Sequence, residues 1–359
     1  MVLTPQNSPF PPAKEENNSN SLMNRCMRAL GTRFGGLEPP TRGIPNRTAG
    51  KSRAFDTKYE NEMLFSEAFT SIPNARDLAE TATSLRPGRV FRSGNPSSAI
   101  MEDYTKLRQH FRVQHLLDLR SAEEHVLDDG WHAVLNNGTI KTYHFSDRLG
   151  VHTDTEAIEM LDEELPYCEL HRFSLLEKRK FIPKLLWRLP KLKTLIALAW
   201  KTAGYDDKMK EILLPEVNAL GLPLVYEVIL ETAKNEVKGC MDTILQALQN
   251  NQPTLIFCKL GKDRTGLISA LVLSCCDVDR SEILKDYALS NGLNEVALGG
   301  VENMKEVEGV DRSMFSSAPP EVLEKTFEFL DRKFGGVHEY LDHIGFSHHL
   351  QRQLKDILT

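Results

Sequence analysis

An α/β fold is what this sequence predicts: a central, partly parallel sheet flanked by helices, with a helical, lid-like insertion. Three observations carry it. Short apolar, β-favouring runs recur at residues 89–92, 113–119, 139–145 and 254–257. Helical periodicity falls between or after them, at 98–111, through much of 156–248, and at 266–276, 281–289 and 320–358. The runs at 113 and 254 are nearly continuous in apolar character, as strands covered on both faces must be. Strands interleaved with helices argue for a layered α/β domain.

The first 55 residues stand apart. They hold seven prolines and many Asn, Ser, Gly and Arg, and residues 1–53 carry a charge of +5, which leaves −11 for the rest of a chain of net charge −6. Such a segment buries too little apolar surface to offset its ordering entropy, so we expect a disordered, basic, proline-rich tail. The domain then runs from residue 56 to 359. Its acidic balance provides no global field for nucleic acid.

No run of about 18 uncharged apolar residues suggests a spanning helix, and the opening residues have no apolar stretch for a secretory signal. The six cysteines are scattered apart from one adjacent pair, which argues against a disulfide framework or a zinc knuckle. A reducing, cytoplasmic setting with free thiols follows. No His/Cys/carboxylate cluster has ligand spacing along the chain, so neither a metal nor another cofactor is expected.

Between the third and fourth apolar runs lies a long segment, about 148–235, read as a helical insertion. Residues 178–201 within it contain eight basic residues and no acid, mixed with Leu, Trp and Phe. Two readings are open: a basic amphipathic element that makes peripheral contact with anionic lipid or covers an anionic-substrate site, or a helical insertion packed on the core. Pro183 and Pro190 interrupt any long helix and favour the second.

The chemistry concentrates in CKLGKDRTG, residues 258–266, between the apolar run 254–257 and a helical pattern. A cysteine is a nucleophile only as thiolate, and a free one titrates at about 8.5. Cys258 ends a strand just before a helix, so the residues between, Lys259, Leu260, Gly261 and Lys262, would wrap as a loop of inward N–H groups. That is an anion nest at the positive end of a helix. Arg264 would return its planar fork over the nest and match a phosphate edge in a bidentate way. Gly261 allows close backbone approach, Thr265 can offer its hydroxyl to the sulfur, and Gly266 opens the helix. A nucleotide-binding P-loop is excluded, because Asp263 and Ile256 occupy the positions where that motif needs Ser/Thr and Gly.

These residues resemble the cysteine-based phosphatases of the tyrosine-phosphatase superfamily, in the branch whose loop reads HCxxGKDRTG. Further stretches carry the resemblance across roughly residues 70–359. Asn74-Ala75-Arg76-Asp77-Leu78 is similar to that branch's NxRDLG element, Arg92-Ser93-Gly94 to its RSG element, and Leu117-Asp118-Leu119-Arg120-Ser121 with Glu124 to its DLRS..E strand end. Tyr287-Ala288-Leu289-Ser290 resembles the helix after the loop, and Gly335–Leu341 with Ile344-Gly345-Phe346 the C-terminal part. Phe257 stands where the family has histidine, and Ala75 and Ala79 replace its Phe and Gly.

The resemblance implies phosphomonoester hydrolysis through a phospho-cysteine, with Cys258 as nucleophile and Arg264 and the loop amides on the equatorial oxygens. It implies Asp263 as the acid that protonates the leaving oxygen, with Asp147 as the alternative. Asp118 and Arg120 are expected to support the loop rather than act on substrate. A lysine at the place of Lys262 goes, in similar enzymes, with phosphoinositides; phosphotyrosine or phosphoserine/threonine proteins are the other expected substrates. Phe257 sets a rival expectation, an inactive or weak enzyme that still reads phosphate.

Overall fold

The apolar runs pair into one sheet. In chain order its strands are β1 (Arg76–Asp77), β2 (Val90–Ser93), β3 (His115–Asp118), β4 (Ile140–Ser146), β5 (Gly150–Asp154), β6 (Cys168–Arg172) and β7 (Thr254–Phe257). They lie side by side as β1-β2-β7-β3-β6-β4-β5. The five inner strands run parallel, while β1 and β5 are antiparallel edges. This computed structural model describes residues 63–125, 140–146, 150–154, 168–292 and 317–359. The expected disordered tail and Asp147 lie outside the described residues.

Alternation along β7 divides the interior in two. Leu255 and Phe257 face a cluster with Phe65, Phe91, Phe111, Leu116 and Leu170. Ile256 and Cys258 face the larger core, which holds most of the helices. The short helix α1 (Met101–Thr105), continued by one π-turn through Lys106–His110, borders the first cluster. After β3 comes α2 (Ala122–His125).

The insertion differs in part from its expected form. Two strands, β5 and β6, lie in its first third, and among the described residues its helices begin at Lys178. Cys168-Glu169-Leu170-His171-Arg172 alternates polar and apolar residues too briefly to stand out as a strand; pairing with β3 and β4 on both sides makes it one. The helices that follow are α3 (Lys178–Arg188), α4 (Lys191–Thr202), α5 (Asp206–Thr232) and α6 (Lys234–Gln249). Leu189, Ala197, Leu213, Leu224 and Val228 give α3, α4 and α5 a small core of their own, while α6 packs into the main core.

Within α5, Asp207–Thr232 has the length and apolar composition of a membrane span, although Glu216 and Glu227 interrupt its uncharged run. It is not one straight rod. Gly221 sits at φ 66°, ψ −164°, between Pro215 and Pro223, and splits the helix there. Beyond the break, Leu222, Tyr226, Ile229 and Leu230 are buried in the main core.

Helix α7 (Asp263–Cys275) springs from the loop after β7 and is buried nearly all round, as a helix apolar on every side must be. Then come α8 (Arg280–Ala288), α9 (Pro320–Phe334), α10 (Val337–His343) and α11 (His348–Leu358). The five cysteines among the described residues are free and buried.

Candidate active site

In a parallel sheet the strands' carboxyl ends share one edge, where loops can converge on a ligand. Ser93 of β2 and Asp118 of β3 both pair with Phe257 of β7. Their loops therefore leave the sheet together, and Cys258 sits at the centre, 2% exposed.

The loop's conformation is set from behind. Asn95 N–H donates to the carbonyl of Lys259 at 3.1 Å. Asn74 Nδ2 donates to the carbonyls of Leu260 and Gly261, at 3.1 and 2.8 Å. Arg92 Nη2 also donates to Gly261 O, at 2.9 Å. In a planar trans peptide the N–H points opposite its C=O. Turning those three carbonyls backward therefore directs the N–H groups of Leu260, Gly261 and Lys262 away from them, as an anion nest requires.

Gly261 is the residue that makes this possible. Its φ is +69°, and a Cβ there would meet Ser93 C and O at 2.3 Å and Gly94 N at 2.4 Å. The loop thus lies directly on the end of β2, with no room for a side chain.

Behind the loop, Arg76 and Arg92 share one acceptor. Arg76 Nε donates to Asp286 Oδ1 at 2.8 Å, and Arg92 Nη1 donates to Asp286 Oδ2. Burial and the neighbouring Arg92 lower the Arg76 pKa to about 10. Burial opposes ionisation of Asp286, but the two guanidinium groups outweigh it and hold the carboxyl below its ordinary range.

Arg264 begins α7 and is gripped on its far side. Its Nη1 and Nη2 donate to Glu124 Oε2 and Oε1 at 2.5 and 2.8 Å, a two-point pairing that fixes the guanidinium plane. Ser121 N–H donates to the same carboxylate at 2.7 Å. Burial would raise the Glu124 pKa, yet Arg264 and Ser121 bring it down to about 2. Burial likewise opposes the charge on Arg264, but Glu124 first, then Cys258 and Asp263, push its pKa up.

The turn that presents Glu124 depends on Asp118. Its carboxylate accepts from Arg120 N, Nε and Nη2, at 3.0, 2.9 and 2.6 Å, and pairs with His125. Although burial opposes it, His125 and Arg120 hold Asp118 well below the carboxylate range. The guanidinium of Arg120 also lies over the ring of Phe257, 5.5 Å from its centroid.

Asp263 Oδ1 accepts from Tyr226 Oη and from Lys262 Nζ, each at 2.8 Å. Tyr226 in turn shares a 2.8 Å hydrogen bond with Tyr287. Burial, then Asp263, drive the Tyr226 pKa well up, so it remains a phenol donor. Lys262 is fully buried, with its ammonium on Asp263 and the Ser317 carbonyl at 2.7 Å. That placement engages the cation expected to meet extra substrate phosphates. Thr265 Oγ1 is buried with no hydrogen-bond partner among the described residues. Lys259 is half-buried, and Gly266 N–H makes an early bond of α7, to Lys262 O at 2.8 Å.

Cys258, Asp263, Arg264 and the loop residues thus come together, while Asp147 lies outside the described residues. Sequence reading missed Tyr226, which arrives from the insertion, and Asn95 and Asp286, which brace the loop. The only signal for Asp286 was its place beside Tyr287 in the stretch that carries the resemblance.

A family model described as "Tyrosine phosphatase family" matches residues 68–359. The chain is also 27% identical, over 218 residues, to the triple specificity protein phosphatase PtpB of Mycobacterium tuberculosis, a match covering 61% of this chain and 66% of that protein. It thus spans just under two thirds of the length of that relative. The family match takes in the sheet, the Cys258 loop and the residues that brace it, and this chain belongs to the tyrosine phosphatase family.

Proposed function

We propose that the chain hydrolyses phosphomonoesters in two steps through a phospho-cysteine. The Cys258 thiolate attacks phosphorus, the ester P–O bond breaks, and the leaving oxygen takes a proton from a carboxylic acid. Asp263 is the first candidate for that acid and Asp147 the alternative. Water then attacks the phospho-cysteine, the P–S bond breaks, and the thiolate returns as inorganic phosphate leaves. The observation that carries this reading is the loop itself: a cysteine at its floor, amides aimed by carbonyls pinned from behind, and an arginine fixed by Glu124. Its family membership supports it too. The test is turnover of p-nitrophenyl phosphate. Wild type should turn over and Cys258→Ser should not. Activity surviving that substitution would sink the mechanism; a wild type that binds phosphate without turnover would make the chain a phosphate reader, as Phe257 in place of histidine suggested.

The proposed substrates are phosphotyrosine and phosphoserine/threonine proteins or phosphoinositides, in the cytoplasm. The insertion favours a substrate held in a membrane. Trp187, Leu192 and Leu195 are 70%, 71% and 67% exposed, among Lys184, Lys191 and Lys193. Aromatic and aliphatic side chains beside cations are what an anionic bilayer surface retains.

A further inference from the structure

At the opposite edge of the sheet, strand pairing collects three ligand-type side chains that sequence spacing kept apart. His115 opens β3 and pairs directly with Glu169 of β6, and His171 follows two residues on, on the same face as Glu169. His115 Nδ1 and His171 Nε2 are 3.1 Å apart. Glu169 Oε2 lies 3.5 Å from the first and 3.3 Å from the second.

We propose that His115, His171 and Glu169 form a zinc site. The triangle is the argument. Ligands about 2.0–2.1 Å from a tetrahedral ion sit about 3.3 Å from one another, and the three edges here are 3.1, 3.5 and 3.3 Å. Two imidazoles and one carboxylate are a donor set suited to Zn²⁺, with a fourth position left to water.

The surrounding residues orient the ligands. Gln252 Oε1 lies 2.9 Å from His115 Nε2 and accepts its proton, which leaves the lone pair of Nδ1 facing His171 and Glu169. The ring of Tyr143 stacks on His171 at 4.8 Å and 7°, holding its plane. Both histidines are 8% exposed, so the site is enclosed rather than an open surface cluster. His115 is level with Thr254, so the length of β7, about 10 Å, separates it from Cys258, while His171 is level with Ile256, two strands away. Its role is structural: an ion here would tie β3 to β6, beside the Gln252 turn that leads into β7.

The test uses the full chain carrying Cys258→Ser, so that the loop thiol takes no metal. Calorimetric titration with ZnCl₂ should find one equivalent bound, and saturating zinc should raise the melting temperature by about 2 °C or more. Added Glu169→Gln or His171→Gln should weaken binding at least tenfold, and Gln252→Leu by roughly 10–100-fold. Glu169→Gln keeps the side chain's shape, and each variant's circular dichroism spectrum checks its fold. Co²⁺ in place of zinc should give a visible band of tetrahedral type without sulfur-to-metal charge transfer. No stoichiometric uptake, uptake unchanged by Glu169→Gln in a folded protein, or a thiolate band with Co²⁺ would overturn the proposal.

Discussion

Phe257 looked in the sequence like a defect in the catalytic loop, because a histidine was expected there. In the fold it packs among Phe91, Leu116 and Leu255, with the Arg120 guanidinium over its ring. The position is therefore an apolar and cation-stacking one. Neither contact was legible, since each comes from a strand or turn remote in sequence. Glu124 shows the converse: its motif was readable, but its grip on Arg264 was not. Its pKa falls from 4.5 to about 2 in the fold. Its stabilisation is therefore complete above the unfolded value of 4.5 and fades as pH falls toward 2. Glu124→Gln should cost about 3 kcal/mol near neutral pH. Urea unfolding across pH should show the gap from wild type narrowing below about pH 4.5 and closing near pH 2; a gap constant across that range would refute the pairing.

Strand β7 and helix α7 were read at nearly their true bounds, since one is a continuous apolar run and the other begins inside the CKLGKDRTG motif. The short strands were harder. β1 has two residues and β6 five, and their identity comes from the neighbours that pair with them rather than from their own periodicity. The insertion was legible as basic and as broken at Pro190, though Pro183, expected to interrupt a helix, lies inside α3; Tyr226 as a contributor to the site was not legible. Tyr226 reaches Asp263 from the half of α5 beyond the Gly221 break. Tyr226→Phe should therefore lower kcat roughly tenfold by loosening the Asp263 carboxylate. It should cost only about 1 kcal/mol in stability. Steady-state kinetics beside thermal melts separate the two effects, and an unchanged kcat would show that the insertion does not position Asp263.

Across the molecule, the carboxyl edge of the sheet carries the phosphate chemistry and the opposite edge carries the His115, Glu169 and His171 triangle. Strand order makes both, which is why only the first, compressed into nine consecutive residues, could be seen in the sequence. Further out, the proposed membrane contact predicts co-sedimentation with vesicles of mixed phosphatidylserine and phosphatidylcholine. Joint replacement of Trp187 and Leu195 by alanine should weaken it several-fold, and so should high salt, because both apolar burial and cationic attraction contribute. Binding indifferent to both would remove lipid from the proposed partners. The seating of Gly261 on the backbone of Ser93 has a consequence for selectivity. A loop pressed against a strand end cannot widen or shrink around its guest. Discrimination among oxyanions then rests on their radius and charge, as in a crystal lattice site, and the protein's adaptability to different molecules must reside in whatever surrounds the phosphate rather than in what holds it.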